Sequence, residues 1–188
     1  MKFEKYPTLD NLANSSVRRR IEQEGLLHTE CVVQEKVHGA NLSFWVKGQQ
    51  IKIAKRTGFL GTSEEFFGYQ KLSKDVEPKI MALSSALEQE IEHLNWFVLY
   101  GEIFGGGYPH PDVSPEPLGD IVQKGLYYCP GLEFYGFDIM VSTENTGRRR
   151  FLDFDRVSRL LEDHGFIQAR PLFRGSFEAC CDHSNRFR

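Results

Sequence analysis

The stretch WFVLYGEIFG, residues 96–105, is a near-continuous apolar run in a chain of 188 residues. Such a run is typical of a β-strand that is buried on both of its faces. An acid, Glu102, interrupts the run, and this side chain needs a polar partner because an unpaired buried charge is very costly. The stretch therefore predicts an interior strand of a sheet that carries one acid, either ion-paired or functional.

Strands and helices are predicted on both sides of this interior strand. Before it, residue spacing predicts a helix over 14–25 capped by Asn14 or Ser15, strands over 31–36, 41–47 and 50–56, and a helix that opens near Pro78. This second helix carries a row of apolar residues on one face, namely Ile80, Leu83, Leu87, Ile91 and Leu94. After the interior strand, residues 105–131 are predicted to be largely loop, followed by a strand over 132–141 and a helix over 153–165. Because these elements show no βαβα rhythm, we predict an α+β fold with mainly antiparallel sheets and flanking helices.

Size and composition are those of an ordinary soluble globular protein. Hydrophobic residues make up 40% of the chain and charged residues 26%. The length suits one domain, which we predict over 1–188. The net charge of −3 provides no overall basic field, so any polyanion must be held by a local basic patch.

No feature of the sequence predicts secretion or a membrane span. The amino-terminal residues MKFEKYPTLD lack an apolar segment, and no run approaches the ~20 apolar residues of a membrane helix. The four cysteines have no framework spacing and are expected to be reduced thiols, which favours an intracellular and most simply a cytoplasmic protein. A zinc site at Cys180, Cys181 and His183 is not favoured, because tetrahedral zinc needs more ligands than are evident. We therefore assign no metal-ligating residue.

The stretch EKVHGANLSFW, residues 35–45, places a lysine where packing alone does not require one. Lys36 is the last residue of the strand predicted over 31–36, and Gly39, a residue type that weakens strands, comes three residues later, where a ligand could meet the backbone. A lysine that acts as a nucleophile must be neutral, whereas an unperturbed lysine is almost entirely protonated at pH 7. Burial or nearby cations can lower the pKa of a lysine and so increase the fraction of its neutral form. On these residues alone, a nucleophilic lysine and an exposed lysine at a strand end stay equally open.

The form Lys-x-x-Gly in EKVHGAN resembles the nucleophile motif of the covalent nucleotidyltransferases, which include ATP-dependent DNA and RNA ligases and capping enzymes. With His before the glycine and Asn two residues after it, the motif resembles the RNA ligases of the phage double-strand-joining and kinetoplastid RNA-editing type. The resemblance continues in the same order with AKRTGFL (54–60), EEFFGY (64–69), YGEIFGG (100–106) and FYGFDI (134–139), and it includes the opening KYPTLDN. It implies the nucleotidyltransferase (ATP-grasp-like) fold of a ligase adenylation domain.

The resemblance implies a three-step reaction that uses ATP and Mg²⁺. Lys36 would attack the α-phosphate of ATP, expel pyrophosphate and form lysyl-AMP. The AMP would then pass to the 5′-phosphate of an RNA strand, and a 3′-hydroxyl would displace it and seal the nick. The expected partner is therefore RNA, either nicked or with 5′-phosphate and 3′-hydroxyl ends.

Further residues of the nucleotide site follow from the same resemblance. Glu102 matches the glutamate that binds the ribose hydroxyls, and Arg56 matches an arginine that contacts the sugar–phosphate region, where a guanidinium forks onto phosphate oxygens. Phe137 matches the aromatic residue that stacks on adenine. Phe134, three residues away and so on the opposite face of a strand, is the competing choice. Lys55, beside Arg56, is left as a candidate RNA contact.

The motif around the lysine supplies three more candidates. The resemblance assigns His38 to a catalytic step and Asn41 to a polar contact near the α-phosphate. It assigns the backbone of Glu35 to the amino edge of adenine. A lone histidine is more often an ordinary hydrogen-bonded residue, so the assignment of His38 depends on the motif.

Two motifs that the family carries toward its carboxyl end have no counterpart in these residues. One is a glutamate before glycine that helps to bind the metal, and the other places two lysines against the phosphates, whereas here no lysine follows Lys124. We therefore expect an incomplete adenylation domain with impaired self-adenylylation and with exposed sheet edges that favour self-association. Arginines could substitute for the missing lysines, although the segment GRRRF (147–151) is predicted to be turn-like. The candidates lie in the carboxyl-terminal half of the chain and are Arg148, Arg149, Arg150, Arg170, Arg174, Arg186 and Arg188.

Three functions are compatible with these observations. The first is an ATP-dependent RNA ligase or a piece of one. The second is a catalytically weak relative that binds nucleotide or RNA ends and is completed by a partner chain. The third is a DNA ligase or capping-type transferase of the same superfamily, which the His-Gly-x-Asn version of the lysine motif disfavours.

Overall fold

The structure, a computed structural model, describes residues 1–114, 121–144 and 147–184. The helices in these residues are α1 (Ser15–Gln23), α2 (Tyr69–Glu90), α3 (Phe154–Asp163) and α4 (Phe177–Cys181), with a 3₁₀ turn at Leu26–His28. The strands are β1 (Glu30–Gln34), β2 (Ala40–Lys47), β3 (Gln50–Lys55), β4 (Gly58–Phe59), β5 (Leu94–Gly105), β6 (Leu132–Thr143), β7 (Arg149–Phe151) and β8 (Pro171–Ser176). The described parts of the predicted loop 105–131 contain neither helix nor strand beyond Gly105.

The strands form two antiparallel sheets. Strands β4, β3, β2, β5, β6 and β7 lie in that order in the larger sheet, and β1 pairs with β8 in the smaller one. Neighbouring strands are antiparallel in each of these pairings. The prediction of an α+β fold with mainly antiparallel sheet is therefore confirmed. The interior strand predicted from residues 96–105 is β5, which lies between β2 and β6.

Both faces of the larger sheet are covered, which explains why β5 is apolar along almost its whole length. On one face, here called the core face, side chains such as Leu42 and Leu99 pack in one cluster with apolar residues of α2 and α3. On the other, here called the site face, Trp45 and Val98 pack with aromatic residues of the segment Met1–Tyr6. A strand between two such layers buries successive side chains alternately on the two faces.

The chain divides into two compact units. Unit 1 comprises Met1–Tyr6 and Val37–Gln168, and it contains the larger sheet with α2 and α3. Unit 2 comprises Pro7–Lys36 and the described residues from Ala169 onward, and it contains α1, α4 and the β1–β8 pair. That residues 1–188 form a single domain stays a prediction.

Helix α2 begins more than two turns before the predicted start near Pro78. That start was predicted because a proline inside a helix removes a backbone hydrogen bond and costs ~3 kcal/mol. In the structure Pro78 lies inside the helix, and three buried residues extend its apolar row toward the amino terminus: Tyr69, Leu72 and Val76. Burial of each contributes roughly 1.5–3 kcal/mol, so together they outweigh the cost of the proline. Leu94, predicted on the face of this helix, instead begins β5.

Two other predicted elements differ from the structure. Strand β1 ends at Gln34 rather than at residue 36, because its partner there is Pro171, which has no N–H to continue the ladder. The segment predicted to be turn-like contains β7, an edge strand paired with β6. The guanidinium of Arg149 on β7 lies 5.4 Å from the ring centroid of Trp96, a contact that the sequence pattern did not reveal.

Candidate active site

Lys36, the expected nucleophile, lies in the irregular segment 35–38 between β1 and β2. The side chains of Lys36 and Glu35 are exposed, so the burial considered above as a means of keeping the lysine neutral is not observed. Both residues belong to unit 2, whereas the other candidate residues belong to unit 1. The geometry of these other residues is therefore that of unit 1 alone.

Gly39 lies closer to β5 than a residue with a side chain could. A Cβ atom on Gly39 would overlap the backbone oxygen of Ile103 and press on the side chain of Glu102. The N–H of Gly39 donates a hydrogen bond of 2.7 Å to Oε2 of Glu102. The polar partners that the sequence requires for Glu102 thus include the backbone of the lysine motif.

Asn41 and Glu102 are neighbours on the site face. They are directly paired between β2 and β5, and residues opposite each other in antiparallel strands have Cβ atoms roughly 4.5–5.5 Å apart. The side-chain amide of Asn41 donates to the backbone oxygen of Gly101 at 3.4 Å. Two residues expected at the α-phosphate and the ribose are therefore brought side by side by strand register.

Phe137 and Phe134 lie on opposite faces of the sheet, as their spacing predicts. Phe134 is 3% exposed and meets Phe44 edge-on in the core-face cluster, with ring centroids 5.0 Å apart. Phe137 is only partly buried and packs against the site-face cluster, where its ring is edge-on to Tyr6 at 5.3 Å. The structure therefore favours Phe137 over Phe134 as the ring available to a ligand on the face of Glu102.

A β-bulge in β6 brings two consecutive residues to the site face. Tyr100 pairs with Asp138 while the next residue, Gly101, pairs with Gly136, so Phe137 is an extra residue in this strand. Asp138 lies opposite a site-face tyrosine, and Phe137 packs on the same side. Strict alternation would have placed one of the two on the core face.

Arg56, the last residue of the strand predicted over 50–56, lies one residue beyond the observed end of that strand. Strand β3 stops at Lys55, and Arg56 begins the turn to β4 as a partly buried residue. Lys55 is paired with the core-face residue Leu42 and forms an ion pair with Glu64. Lys55 therefore points to the core face, opposite that of Asn41. Its contact with RNA stays a prediction.

Asp138 is a site-face acid that the sequence analysis did not single out. The hydroxyl of Tyr6 donates to its Oδ2 at 3.0 Å, and the N–H of Ile139 donates to its Oδ1 at 3.1 Å. Burial raises the pKa of Asp138 from 3.8 to about 6, although both hydrogen bonds act in the opposite direction. The sequence pattern that identified Glu102, an acid inside an apolar strand, could also have identified Asp138.

Two tyrosines share the electrostatic environment of Asp138. Burial, followed by the charge of Asp138, raises the pKa of Tyr100 to about 12. Burial and the Asp138 carboxylate also raise the pKa of Tyr6, while the guanidinium of Arg56 lowers it. Arg56 and Asp138 thus act in opposite directions on the same tyrosine hydroxyl.

Two residues of the irregular segment after β5 contact the lysine motif. The N–H of His38 donates to the hydroxyl of Tyr128 at 3.2 Å, and the side chain of His38 is exposed. The side-chain amide of Gln123 donates to the backbone oxygen of Gly39 at 3.0 Å. Neither Gln123 nor Tyr128 was identified from the sequence, because a Gly- and Pro-rich loop carries no periodic pattern from which contacts could be read.

The described residues contain no group of three or more His, Cys, Asp or Glu side chains that could hold a metal ion. The four cysteines are free. In the same ranges no helix is both long enough and apolar enough to cross a bilayer. Arg186 and Arg188, as well as residues 115–120 of the predicted loop, lie outside the described residues.

Comparison with known proteins identifies relatives that share most of this sequence. The RNA ligase family model matches residues 29–186. The mitochondrial RNA-editing ligase 2 of Trypanosoma brucei brucei (strain 927/4 GUTat10.1) is 31% identical over 92% of this chain and 45% of that protein. The mitochondrial RNA-editing ligase 1 of Trypanosoma brucei brucei is 30% identical over 95% of this chain and 43% of that protein. The chain thus spans less than half of the length of these curated relatives.

Solved structures show the same fold at lower sequence identity. A Naegleria gruberi RNA ligase variant with ATP and Mn matches 92% of this chain and 43% of its own, with a TM-score of 0.61 and 17% identity. An archaeal ATP-dependent RNA ligase matches 94% of this chain and 39% of its own, with a TM-score of 0.56 and 17% identity. At this identity the likeness is one of fold.

Proposed function

The chain belongs to the RNA ligase family, and on this premise we propose that it is an ATP-dependent RNA ligase, or a piece of one, that forms a lysyl-AMP intermediate. The observation that carries this proposal is that unit 1 contains three complementary side chains, two of them on one face of its sheet. A carboxylate suits ribose hydroxyls, a guanidinium suits phosphate oxygens and an aromatic ring suits a purine. Glu102 and Phe137 lie on the site face, and Arg56 lies in the turn after β3.

In the first step the neutral amine of Lys36 attacks the α-phosphorus of ATP. A P–N bond forms, the bond from the α-phosphorus to the bridging oxygen breaks, and pyrophosphate leaves. The amine loses a proton in this step, so the product is a phosphoramidate between Lys36 and AMP. Glu102 and Phe137 would orient the nucleoside, and Asn41 would make a polar contact near the reacting phosphate.

The next two steps transfer AMP and join the RNA. An oxygen of the RNA 5′-phosphate attacks the phosphorus of the adenylate, and Lys36 leaves as an amine that takes back a proton. A 3′-hydroxyl then attacks the activated 5′-phosphate, AMP leaves, and a phosphodiester forms. We assign His38 to one of these proton-coupled steps, since imidazole exchanges protons near neutral pH.

Charge compensation on the triphosphate is the main electrostatic demand of the first step. Arg56 would meet part of it, and a divalent cation such as Mg²⁺ supplies charge neutralisation when it is bound to the phosphates. The described residues provide no cluster of metal ligands of their own.

The proposal is tested by incubating the chain with α-labelled ATP and Mg²⁺, and separately with Mn²⁺. A label that survives denaturing electrophoresis is expected for the wild type and is expected to be absent from Lys36→Ala. Lys47→Ala is the matched control, because Lys47 is an exposed lysine at the far end of β2. Equal labelling of Lys36→Ala and wild type would show that Lys36 is not the nucleophile.

The same experiment separates the alternative functions. Absence of label together with thermal stabilisation by ATP would favour a catalytically weak binding module. Labelling by α-labelled GTP but not by ATP would indicate a capping-type transferase. Label followed by sealing of a nicked duplex that contains RNA, and not of one made only of DNA, is expected for the RNA ligase.

Two further expectations accompany the proposal. Self-association through the sheet would use its edge strands, which are only two and three residues long in β4 and β7. Sedimentation velocity at two protein concentrations tests this prediction. An intracellular, cytoplasmic location is likewise proposed from the cysteines, and fractionation of cells that express the protein tests it.

A further inference from the structure

Residues 121–131, here called the strap, follow β5 in an irregular conformation that is anchored to the end of that strand. The N–H of Val122 donates to the backbone oxygen of Gly105 at 3.3 Å, and Val122 is buried. At the other end of the strap, the N–H of Gly106 donates to the backbone oxygens of Cys129 and Gly131 at 3.1 and 3.0 Å. The strap is therefore held at both ends by the glycines that terminate β5.

Two side chains of the strap reach the backbone of the lysine motif. Nε2 of Gln123 donates to the oxygen of Gly39 at 3.0 Å, and the hydroxyl of Tyr128 accepts from the N–H of His38 at 3.2 Å. The ring of Tyr128 is itself located by an edge-on contact with Phe104 of β5, at a centroid distance of 5.6 Å. Both contacts lie within unit 1.

The segment that these side chains contact lies between β1 and β2, outside both strands. Residues 35–38 belong to no strand, so no sheet ladder orders them. At Gly39 the N–H is bonded to Glu102 and the oxygen to Gln123, so side chains satisfy both of its peptide groups. Gly39 also lacks the Cβ that would restrict its backbone, which makes such external partners more important.

We propose that Gln123 and Tyr128 are positioning residues that hold the backbone of His38 and Gly39 in the geometry required for adenylylation. This inference rests on the proposed function, because the reaction it concerns is attack by Lys36, three residues before Gly39. Neither side chain touches the reacting atoms in this scheme. Their effect is exerted through the peptide groups that end the lysine motif.

A positioning role predicts a specific kinetic signature. Loss of the bond from Gln123 would let the end of the motif shift, and a misplacement of about 1 Å costs roughly 100-fold in rate. For Gln123→Met, which keeps the length of the side chain but removes its donor, we expect adenylylation at saturating ATP to slow by about 10- to 100-fold. The KM for ATP should change little, because Gln123 is not assigned a contact with the nucleotide.

The experiment compares Gln123→Met and Tyr128→Phe with wild type and with Leu126→Met, an exposed position in the same strap. Single-turnover adenylylation gives the rate and the ATP dependence. Hydrogen exchange of the amides of residues 38–41 reports on the backbone without any need for activity. We expect faster exchange at Gly39 in Gln123→Met and at His38 in Tyr128→Phe, and wild-type behaviour of Leu126→Met in both measurements.

Each outcome decides the inference. Wild-type exchange in both strap variants would overturn it, and so would faster exchange with an unchanged adenylylation rate, since the contact would then exist without a positioning role. A higher KM with an unchanged maximal rate would overturn it by placing these residues in nucleotide binding. If wild type and Leu126→Met both form no adenylate, the proposed function fails, and the exchange data still decide whether the strap orders the motif.

Discussion

Asp138 is a residue whose ionisation is controlled by the fold. It lies on the site face next to Phe137, accepts hydrogen bonds from Tyr6 and from the N–H of Ile139, and yet has its pKa raised from 3.8 to about 6. Burial is the dominant cause, because desolvation penalises the charged carboxylate. The two hydrogen bonds only partly offset that penalty.

Asp138→Asn should therefore stabilise the protein in a manner that depends on pH. Because its pKa is raised on folding, folded Asp138 binds a proton more readily than unfolded Asp138, so its contribution to stability is full below about pH 4 and is lost as the pH rises through about 6. The asparagine cannot ionise, so its advantage over wild type should grow across this window to at most ~3 kcal/mol at pH 8, at ~1.4 kcal/mol per pKa unit. Urea unfolding at pH 4.5, 6 and 8 measures the difference.

Tyr6→Phe is the informative companion to this variant. It removes the hydroxyl that donates to Asp138, so it should raise the pKa of the carboxyl further and destabilise the protein more at pH 8 than at pH 4.5. A gain in stability for Asp138→Asn that is the same at all three pH values would contradict the assignment of the shift to Asp138.

At the scale of single elements, helix α2 shows how burial outweighs local propensity. Pro78 is exposed in the middle of this helix, where it cannot donate a backbone hydrogen bond to Lys74. The helix persists because its apolar row continues on both sides of the proline, from Leu72 and Val76 to Ile80. These three side chains belong to the core-face cluster, so packing against this cluster stabilises helix α2.

Pro78→Ala should accordingly stabilise the protein without affecting the site. An exposed proline gives up little packing, and alanine restores the missing bond, so we expect the free energy of unfolding to rise by ~1–3 kcal/mol. Chemical denaturation measures this gain, and Glu77→Ala, at the adjacent exposed position, should change stability by less than ~0.5 kcal/mol. A loss of stability in Pro78→Ala would show that the helix is adapted to the shape of the proline ring.

At the scale of the whole molecule, the two units differ sharply in how much apolar surface they bury. Unit 1 contains both apolar clusters that line the faces of the larger sheet. Among the described residues of unit 2, Val17 is the buried hydrophobic residue, and the exposed side chains there include Leu172 and Phe173. Burial of apolar surface is the main stabilising contribution to folding. We therefore expect local unfolding of unit 2 to cost less free energy than unfolding of unit 1.

Hydrogen exchange should therefore distinguish the two sheets. We expect amides of β1 and β8 to exchange at least ~10-fold faster than those of β5 and β6, because regions with few buried apolar contacts open at lower free energy. Mass spectrometry of peptides that cover 30–34 and 171–176, compared with 97–103 and 138–142, measures this. Equal protection in the two sets would show that unit 2 opens only when the whole protein unfolds.

By itself, the sequence determined the kinds of residue in the candidate site and most of the elements that carry them. Lys36, Arg56, Glu102 and Phe137 were predicted because they interrupt apolar periodicity or match an ordered set of motifs, and both signals are local. The interior strand β5 and the antiparallel α+β class followed from the same periodicity. These features depend on residues that are close together in sequence, so local sequence patterns are enough to predict them.

Only the tertiary structure decided which residues share a face and what holds them there. The bulge in β6 brings Asp138 beside Phe137, the pairing of β2 with β5 sets Asn41 against Glu102, and the strap brings Gln123 to Gly39. Each of these relations depends on register between strands or on contact between residues far apart in sequence. No local pattern encodes such a relation, because it is the packing of the whole sheet that selects it.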